Sequence, residues 1–596
     1  MASCAALLAA LLMSPAAAAA QEPDFTVDFG GPGKPVPTGI VTGLNDLANA
    51  SPGVWKAYIE SVQPRDSLVR IWLKYNFGEL NDSHWRAAEE AKRAGMGVMI
   101  TALGKPGSRV DTRKGEVQAA PEPVAWARKV AEDVRALRAK GMPVTHVEIW
   151  NEPDMPEQWG GSGAEFARFF AAAGHALRPL LPAEVAIGGP GMASSYGGGI
   201  RQFAEIVEAC KAIGWAPDFL SWHDYSGFPM DQAYYDTARR VIELSRRAGL
   251  KLPELILSEW NCGLPGRGSY PPLDDQRGAA AFVAMTCALS RTAVKHSLFF
   301  MLQDGSWDTD TDFAGESVGV FTLHGAPKSV LAGMRMMRTV CALPAVPSTP
   351  RPQLPVNFAL MATREGARGY LAASSTFGKD EQHGKKLIEM AGLDLGSIKG
   401  APGAAEKYVR GQIRYEQTGL PAEQKPVWDD IAARIQTLAV ERRAKERSLT
   451  VRLADAPARI EGVWVIDERH GNPIADADFR AKFRPLEGGW FAAAVQMTMQ
   501  KLRAEGVAED ELARIEESFR KRQEQVPGIA AATAQRLREV YADMSHRAQH
   551  EVPRELARHP AAAPARVEIG EWARLEDGLL RLRLPPHTSV MIEFAW

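Results

Sequence analysis

The sequence predicts an α/β protein in which a (β/α)8 barrel precedes a β-sandwich domain with helical insertions. Eight short apolar segments alternate with amphipathic segments between residues 37 and 342. Most of the short segments are nearly continuous apolar runs, which is typical of parallel strands buried on both faces. The chain has 596 residues, too many for one hydrophobic core, so at least two domains are expected.

The barrel prediction depends on eight strand–helix units in about 300 residues. The predicted strands are residues 39–44, 67–73, 97–103, 145–152, 184–190, 218–225, 254–261 and 296–302. Helical patterns lie between them, and the one at residues 81–95 opens on Asn81-Asp82-Ser83, which we interpret as a helix cap. A doubly wound open sheet is the alternative. That fold usually carries a glycine-rich phosphate loop after its first strand, and Thr42-Gly43-Leu44-Asn45 is not one.

A proline-rich segment at residues 343–356 indicates a linker. The strand-like runs beyond it predict a β-sandwich over residues 357–596. Two helical insertions interrupt this domain, near residues 378–447 and 488–550, and both carry apolar stripes. Such stripes are usually packing faces; they could cover the sandwich or mediate oligomerisation, and the sequence leaves both open.

Charge and targeting signals narrow the class of protein. The formal net charge is −2 and no long Lys/Arg run is present, which argues against a nucleic-acid binder. Residues 1–20 hold a short apolar run and end on Ala18-Ala19-Ala20, which favours a signal peptide and an exported protein, periplasmic or secreted. No Lys or Arg precedes that run, and an Ala-rich disordered tail is the alternative. No other stretch is long and apolar enough to predict a membrane span.

Four cysteines lie beyond the predicted signal peptide, and their pairing is open from the sequence. Export would permit disulfides. The Ala-rich apolar surroundings of Cys210 and Cys287 favour buried free thiols instead. No Cys/His spacing resembles a metal site, and we expect neither a metal nor a cofactor.

Two predicted strands end in glutamates, Glu152 on the fourth strand and Glu259 on the seventh. In (β/α)8 barrels the active site lies at the C-terminal ends of the strands, so both carboxylates should face one mouth. Two carboxylates are what cleavage of a glycosidic bond requires. One protonates the leaving oxygen, and in retaining enzymes the other attacks the anomeric carbon. A neighbouring ionised carboxylate should raise the pKa of the acid and keep it protonated.

The segments around these glutamates, Trp150-Asn151-Glu152-Pro153 and Ser258-Glu259-Trp260-Asn261, resemble the two signatures of the clan A glycoside hydrolases. Further motifs resemble glycoside hydrolase family 39, which contains β-xylosidases, α-L-iduronidases and some exopolysaccharide-degrading enzymes. These motifs are Gly188-Gly189-Pro190, Ser221-Trp222-His223-Asp224-Tyr225, Gly319-Val320-Phe321-Thr322-Leu323 and Ala326-Pro327-Lys328. Each is weak alone, and their combination over residues 37–342 is specific.

The resemblance implies a retaining mechanism with Glu152 as acid/base and Glu259 as nucleophile. It also implies that Asn151 bonds the sugar 2-hydroxyl and that Arg70 bonds the nucleophile. A pure ion-pair role for Arg70, with Glu148 as its deeper partner, is the alternative.

His223 and Tyr225 alternate on the sixth predicted strand, so both should point the same way. The resemblance implies that they hold the nucleophile and the sugar, and that Trp307 is the aromatic floor of the site. The structural alternatives are a satisfied core histidine and simple packing of Trp307. Trp150 and Trp260 are expected to pack behind the site.

An oligo- or polysaccharide is the predicted substrate, and a β-xylosidase-like activity is the first expectation. A hydrolase of bacterial exopolysaccharide or of another pentose or uronic-acid glycan is the alternative. A non-catalytic carbohydrate-binding protein is the hypothesis from another class.

Overall fold

A computed structural model describes most of the chain. The described residues are 22–47, 50–75, 78–107, 120–194, 198–225, 231–262, 273–305, 312–313, 317–351, 354–355, 357–378, 387–388, 393, 402–444, 447–523 and 525–596. The predicted signal peptide at residues 1–20 therefore lies outside the described residues.

Eight parallel strands close into a barrel, which confirms the predicted fold class. Each predicted strand overlaps one of the observed strands. They are β2 (Gly43–Asp46), β3 (Leu68–Lys74), β4 (Gly97–Leu103), β5 (Val144–Ile149), β6 (Ala186–Met192), β7 (Phe219–Asp224), β8 (Glu254–Trp260) and β9 (Val294–Phe299). The strands follow this order around the barrel, and β9 pairs with β2 to close it.

Helices surround the barrel and bury their apolar faces against it. Their bounds are Gly39–Thr42, Pro52–Val62, Asp82–Arg93, Pro123–Ala139, Gly163–Leu177, Gly198–Ala212, Asp231–Ala248, Gln276–Leu289 and Ser329–Val340. Asn81 caps the helix Asp82–Arg93 by accepting a hydrogen bond from the Ser83 amide, as the sequence predicted. Inside the barrel an apolar layer, formed by Leu68, Met99, Phe219, Ile256 and Leu298, fills the space below the mouth.

The second domain is a pair of five-stranded sheets, ordered β10-β1-β13-β17-β16 and β11-β12-β18-β14-β15. Its strands are β1 (Phe25–Asp28), β10 (Ser348–Pro350), β11 (Phe358–Glu365), β12 (Arg368–Ser375), β13 (Ser448–Ala454), β14 (Arg459–Ile466), β15 (Ala565–Val567), β16 (Ala573–Glu576), β17 (Leu579–Arg583) and β18 (Thr588–Ala595). One apolar core fills the space between the two sheets.

Two of these strands lie outside the predicted sandwich range, residues 357–596. Strand β1 precedes the barrel in sequence yet pairs in parallel with β13. Strand β10 lies within the predicted linker and pairs with β1. As an edge strand, β10 tolerates proline because one of its backbone edges has no ladder partner. The predicted linker is thus partly a component of the sandwich.

The first insertion carries the helices Pro402–Val409 and Lys425–Arg443 and has its own small apolar core around Trp428. The second carries Ala477–Phe483, Gly489–Ala504, Glu509–Arg520, Ala531–His546 and Val552–Ala557. Its apolar stripes pack mainly against each other. It also contacts the barrel: the Trp490 indole donates to the His324 carbonyl (3.0 Å), and Arg554 and Arg558 pair with Glu60.

The four cysteines beyond the N-terminal segment are buried and free, as predicted for Cys210 and Cys287. Among the described residues, no helix is both long and apolar enough to cross a membrane.

Candidate active site

Four strands of the barrel bring the predicted site residues to one mouth. Arg70 lies in β3, Glu152 follows β5, His223 lies in β7 and Glu259 is the penultimate residue of β8. Because parallel strands all end at the same edge, these side chains converge at the C-terminal end of the barrel.

Arg70 is the centre of the buried polar network. Its Nε donates to Glu148 Oε2 (2.7 Å), its Nη2 to Asn151 Oδ1 (2.8 Å) and its Nη1 to Glu259 Oε1. Burial alone would raise the pKa of Glu148, but the charges of Arg70 and His223 and the hydrogen bonds from Ser221 and Thr101 together outweigh it, and the pKa is lowered. The pairing of Arg70 with Glu148 was predicted from the sequence. Arg70 thus joins a structural ion pair below the mouth to the carboxylate of Glu259.

Glu148 is fully hydrogen-bonded deep in the barrel. Besides Arg70, its carboxylate accepts from Thr101 Oγ1 (2.7 Å) and Ser221 Oγ (2.6 Å). A buried carboxylate needs such partners, since desolvation is costly without them. Its position supports the structural role that the sequence suggested.

Glu152, Glu259 and His223 form a compact group. One carboxylate oxygen of each glutamate and one ring nitrogen of His223 lie within 4.8 Å of one another. His223 Nδ1 is 2.9 Å from Glu152 Oε1 and 3.6 Å from Glu259 Oε2. The Tyr225 hydroxyl donates to Glu259 Oε2 at 2.5 Å. The imidazole thus contacts one carboxylate directly and lies close to the other.

The pKa of Glu152 differs from the sequence expectation. We expected the neighbouring carboxylate to raise it. Burial acts in that direction and is the largest single effect, but the hydrogen bond and charge of His223, together with the charges of Arg70 and Lys74, oppose it, and the pKa of Glu152 is lowered. Burial would lower the pKa of His223, yet the two glutamates raise it. In the unliganded site the proton is therefore favoured on His223 rather than on Glu152.

The backbone around Glu152 is strained. Trp150 (φ 80°) and Glu152 (φ 48°) both occupy the left-handed region, which costs roughly 1–3 kcal/mol for each such residue. The Glu152 amide donates to the carbonyl of Gly191 (2.9 Å). Gly191 itself has φ 62°, and a Cβ there would lie 2.9 Å from His223 Nε2. Sequence reasoning missed Gly191, which directly follows the Gly188-Gly189-Pro190 motif.

Aromatic side chains also lie at the mouth. Trp307, the predicted aromatic floor, lies outside the described residues, so its role stays a prediction. Within them, Phe300 packs beside Tyr225 (ring centroids 6.0 Å apart) and beside Trp72 (6.2 Å). Trp72 lies two residues after Arg70, so both side chains point to the same face of the strand. This alternation could have predicted that Trp72 lies at the site. Trp150 and Trp260 are buried among other rings, as expected for packing residues.

Buried polar atoms at the mouth that have no hydrogen-bond partner among the described residues include Asn151 Nδ2, His223 Nε2 and Trp72 Nε1. An unpartnered buried amide costs free energy, so a ligand hydroxyl that accepts from Asn151 would be favoured.

The two glutamates and His223 offer donor types that a divalent cation also accepts. Both Glu259 oxygens, however, already accept hydrogen bonds, from Arg70 and from Tyr225. The Arg70 guanidinium supplies the positive charge that a cation would bring. The donor set therefore suits a metal-free carboxylate pair.

No family model and no curated protein sequence matches the chain. Its fold is similar to solved structures. One is the GH39 enzyme from Xanthomonas axonopodis pv. citri (TM-score 0.52, 14% identity), covering 96% of this chain and 97% of that one. Another is the GH51 arabinofuranosidase from the same organism (TM-score 0.51, 10% identity), covering 96% and 99%. N2152 from Neocallimastix frontalis is a third (TM-score 0.52, 11% identity), covering 96% and 98%. The chain thus shares the overall fold of these three structures.

Proposed function

We propose that the protein is a retaining glycoside hydrolase with Glu152 as acid/base and Glu259 as nucleophile. The observation that carries this proposal is the pair of glutamates at one barrel mouth, with carboxylate oxygens within 4.8 Å of each other. Retaining enzymes hold their two carboxyl groups about 5–5.5 Å apart, whereas inverting enzymes need roughly 6.5–9.5 Å to admit a water.

The surroundings of the glutamates support the assignment of roles. Glu259 is held by Arg70 and Tyr225, and its side chain is 4% exposed. A carboxylate held in place by a guanidinium and a hydroxyl suits nucleophilic attack. The Glu152 side chain is 23% exposed, which suits a group that must protonate a leaving oxygen and later activate water.

The reaction then proceeds in two displacements. In the first, Glu259 forms a bond to the anomeric carbon while the glycosidic C–O bond breaks, and Glu152 gives its proton to the departing oxygen. In the second, Glu152 takes a proton from water, which attacks the anomeric carbon and releases Glu259. Asn151 Nδ2 donates to the sugar 2-hydroxyl in both steps.

His223 affects the protonation state of Glu152. Before the first displacement the shared proton must move from the imidazole Nδ1 to Glu152 Oε1, a separation of 2.9 Å. Substrate that excludes water from the mouth favours this transfer, since it turns a charged pair into a neutral one.

The candidate substrates come from the resemblance of the sequence motifs to glycoside hydrolase family 39. A β-xylosidase-like activity is the first candidate, and hydrolysis of bacterial exopolysaccharide or of another pentose or uronic-acid glycan is the second. We also propose that the protein is exported, since the N-terminal sequence is typical of a signal peptide.

A 2-deoxy-2-fluoro glycoside series tests the function. These reagents trap a glycosyl-enzyme, so the expected result is a mass increase located on Glu259 by peptide mapping. Glu259→Gln serves as the unlabelled control. A protein that binds sugars without labelling by any member of the series would instead be a carbohydrate-binding protein.

Glu152→Ala separates the two roles. This variant should lose activity mainly on substrates with poor leaving groups, and azide should restore turnover by replacing the missing base. Unchanged hydrolysis of poor-leaving-group substrates would contradict the assignment of Glu152.

A further inference from the structure

Strand β6 carries a bulge opposite Ser221 of the neighbouring strand β7. Gly189 pairs with Leu220, and the next pair is Met192 with Trp222. Three residues along β6 (189 to 192) therefore match two along β7 (220 to 222), with Ser221 between the two pairs. A bulge leaves its extra residue outside the regular ladder, and bulges are common beside active sites.

The Ser221 hydroxyl supplies the hydrogen bond that the bulged backbone needs. The Gly191 amide donates to Ser221 Oγ at 2.9 Å, and Ser221 Oγ donates to Glu148 Oε1 at 2.6 Å. Because an ionised carboxylate only accepts, the single hydroxyl proton is directed to Glu148, and a lone pair remains for the Gly191 amide. The lowered pKa of Glu148 keeps that carboxylate in its accepting form. The buried Glu148 thus fixes the orientation of the hydroxyl.

Gly191 connects this hydroxyl to the proposed acid/base. Its amide is held by Ser221, and its carbonyl accepts a hydrogen bond from the Glu152 amide at 2.9 Å. Glu152 has a φ of 48°, and such a conformation persists only where the surrounding structure enforces it. One serine hydroxyl therefore joins a buried structural carboxylate to the strained backbone of Glu152.

We propose that Ser221 is a positioning residue for Glu152 and acts on it through Gly191. The inference rests on the proposed glycosidase function, because it assigns Ser221 to the proton-transfer steps of that reaction. Without the hydroxyl, the Gly191 amide loses its partner and the backbone of Glu152 can relax. The carboxylate of Glu152 then moves relative to the leaving oxygen, and a misplacement of about 1 Å can cost roughly a hundredfold in rate.

Leaving groups of different acidity test this role. A dinitrophenolate departs without protonation, whereas a phenolate needs the proton of Glu152. The substrates are the phenyl and dinitrophenyl glycosides of the sugar whose 2-fluoro derivative labels Glu259. Ser221→Ala should lower kcat/KM by about ten- to a hundredfold on the phenyl glycoside and by less than about threefold on the dinitrophenyl glycoside.

Thr101→Val is the matched control. Thr101 Oγ1 also donates to the Glu148 carboxylate (2.7 Å), but it lies on β4, which is not a neighbour of β6 in the barrel. This variant weakens the network around Glu148 without removing the partner of Gly191, so its losses should be equal on the two glycosides. Ser221→Cys keeps a side chain of similar size with a weaker donor and acceptor, and its loss on the phenyl glycoside should be smaller than that of Ser221→Ala.

Equal losses on the two glycosides in Ser221→Ala, or the same selective loss in Thr101→Val, would overturn the positioning role while leaving the glycosidase in place. If circular dichroism shows that Ser221→Ala does not fold, Ser221→Cys decides: a selective loss on the phenyl glycoside supports the role, and equal losses refute it.

Hydrogen–deuterium exchange gives a readout that needs no substrate. The Glu152 amide should exchange faster in Ser221→Ala than in Thr101→Val, and equal exchange in the two variants would contradict the connection through Gly191. Failure of every 2-fluoro glycoside to label wild-type Glu259 would instead overturn the proposed function, and the exchange result would then still decide whether Ser221 holds the backbone of Glu152.

Discussion

The two ends of the barrel use the same residue types for different purposes. At the mouth, the Glu152 carboxylate meets His223, and Arg70 lies close by. At the opposite end, the Glu254 carboxylate meets Lys295 (2.6 Å) and His296 (3.3 Å). Composition alone would not tell these clusters apart.

The two ends differ in backbone conformation. Glu254, Lys295 and His296 all lie inside regular strands. Glu152 follows a strand, has a positive φ, and is joined through its amide to Gly191, which also has a positive φ. Strain that the surrounding structure maintains is typical of functional sites, and the N-terminal face of such barrels generally serves stability. Of the two ends, the candidate site thus lies at the one where the backbone is held out of its ordinary conformations.

The largest loss of activity is expected for a substitution at the mouth of the barrel. Glu259→Gln should lower kcat on an activated aryl glycoside by roughly four to six orders of magnitude, as removal of a nucleophile does elsewhere. Glu254→Gln, the same change at the opposite end, should leave kcat within about twofold of wild type. Steady-state kinetics on the two variants check the contrast, and comparable activity losses would break it.

A second substitution tests the strained backbone directly. Gly191→Ala should reduce kcat by on the order of a hundredfold, because the new Cβ lies against His223 and displaces it. Gly249→Ala is the matched control: Gly249 has a similar φ of 72°, but no atom lies within 4 Å of its added Cβ. The control should lose only about 1 kcal/mol of stability. Equal kinetic losses in both variants would show that backbone strain alone, rather than the contact with His223, matters.

His223→Asn should change the pH dependence. His223 lowers the pKa of Glu152, whereas burial raises it, so removing the imidazole should raise the pKa of Glu152. The acid form of Glu152 then persists to higher pH, and the alkaline limb of kcat/KM moves upward. His296→Asn at the other end should leave this limb in place. A downward shift in His223→Asn would contradict the contact between the two side chains.

The smallest expected effect is a loss of stability at the end of the barrel opposite the mouth. Glu254 has a pKa lowered to about 2, where burial is opposed by His146 and Lys295. Its contribution to stability is therefore complete above its ordinary pKa of 4.5 and is lost as the pH falls from there towards 2. Glu254→Gln should cost about 1–2 kcal/mol at pH 7 and much less at pH 2.5, measured by urea unfolding. An equal loss at both pH values would show that packing, not charge, is responsible.

Much of the barrel could be predicted because each strand is a local apolar run bounded by helical patterns. Strand β1 could not: it has four residues, Phe25–Asp28, and its pairing partners are distant in sequence. Strand β10 was not predicted because the prolines in and around it are typical of a linker. Its edge position, where proline is tolerated, is not visible in the sequence.

The site residues likewise fall into those that the sequence could predict and those that it could not. Glu152, Glu259 and Arg70 stand in motifs or at strand ends, and the structure brings them together with Asn151 and His223. Gly191 could not be predicted because its role depends on contacts with residues of other strands, among them His223. The pKa of Glu152 was predicted in the wrong direction because the sequence does not show that the imidazole contacts this glutamate. The catalytic roles themselves stay predictions.

The pairing of β1 with β13 has a consequence for biosynthesis. Asp24 and Thr450, which bond each other at the start of this ladder, are 426 positions apart. At roughly 5–20 residues per second, a ribosome needs on the order of half a minute to supply the partner. Until then the first strand exposes an unsatisfied edge, and the barrel segment that follows it must fold beside an incomplete neighbour. A gene fragment cut at the end of the barrel would carry that orphan strand permanently, so a smaller expression unit should omit residues 22–36 as well as the sandwich.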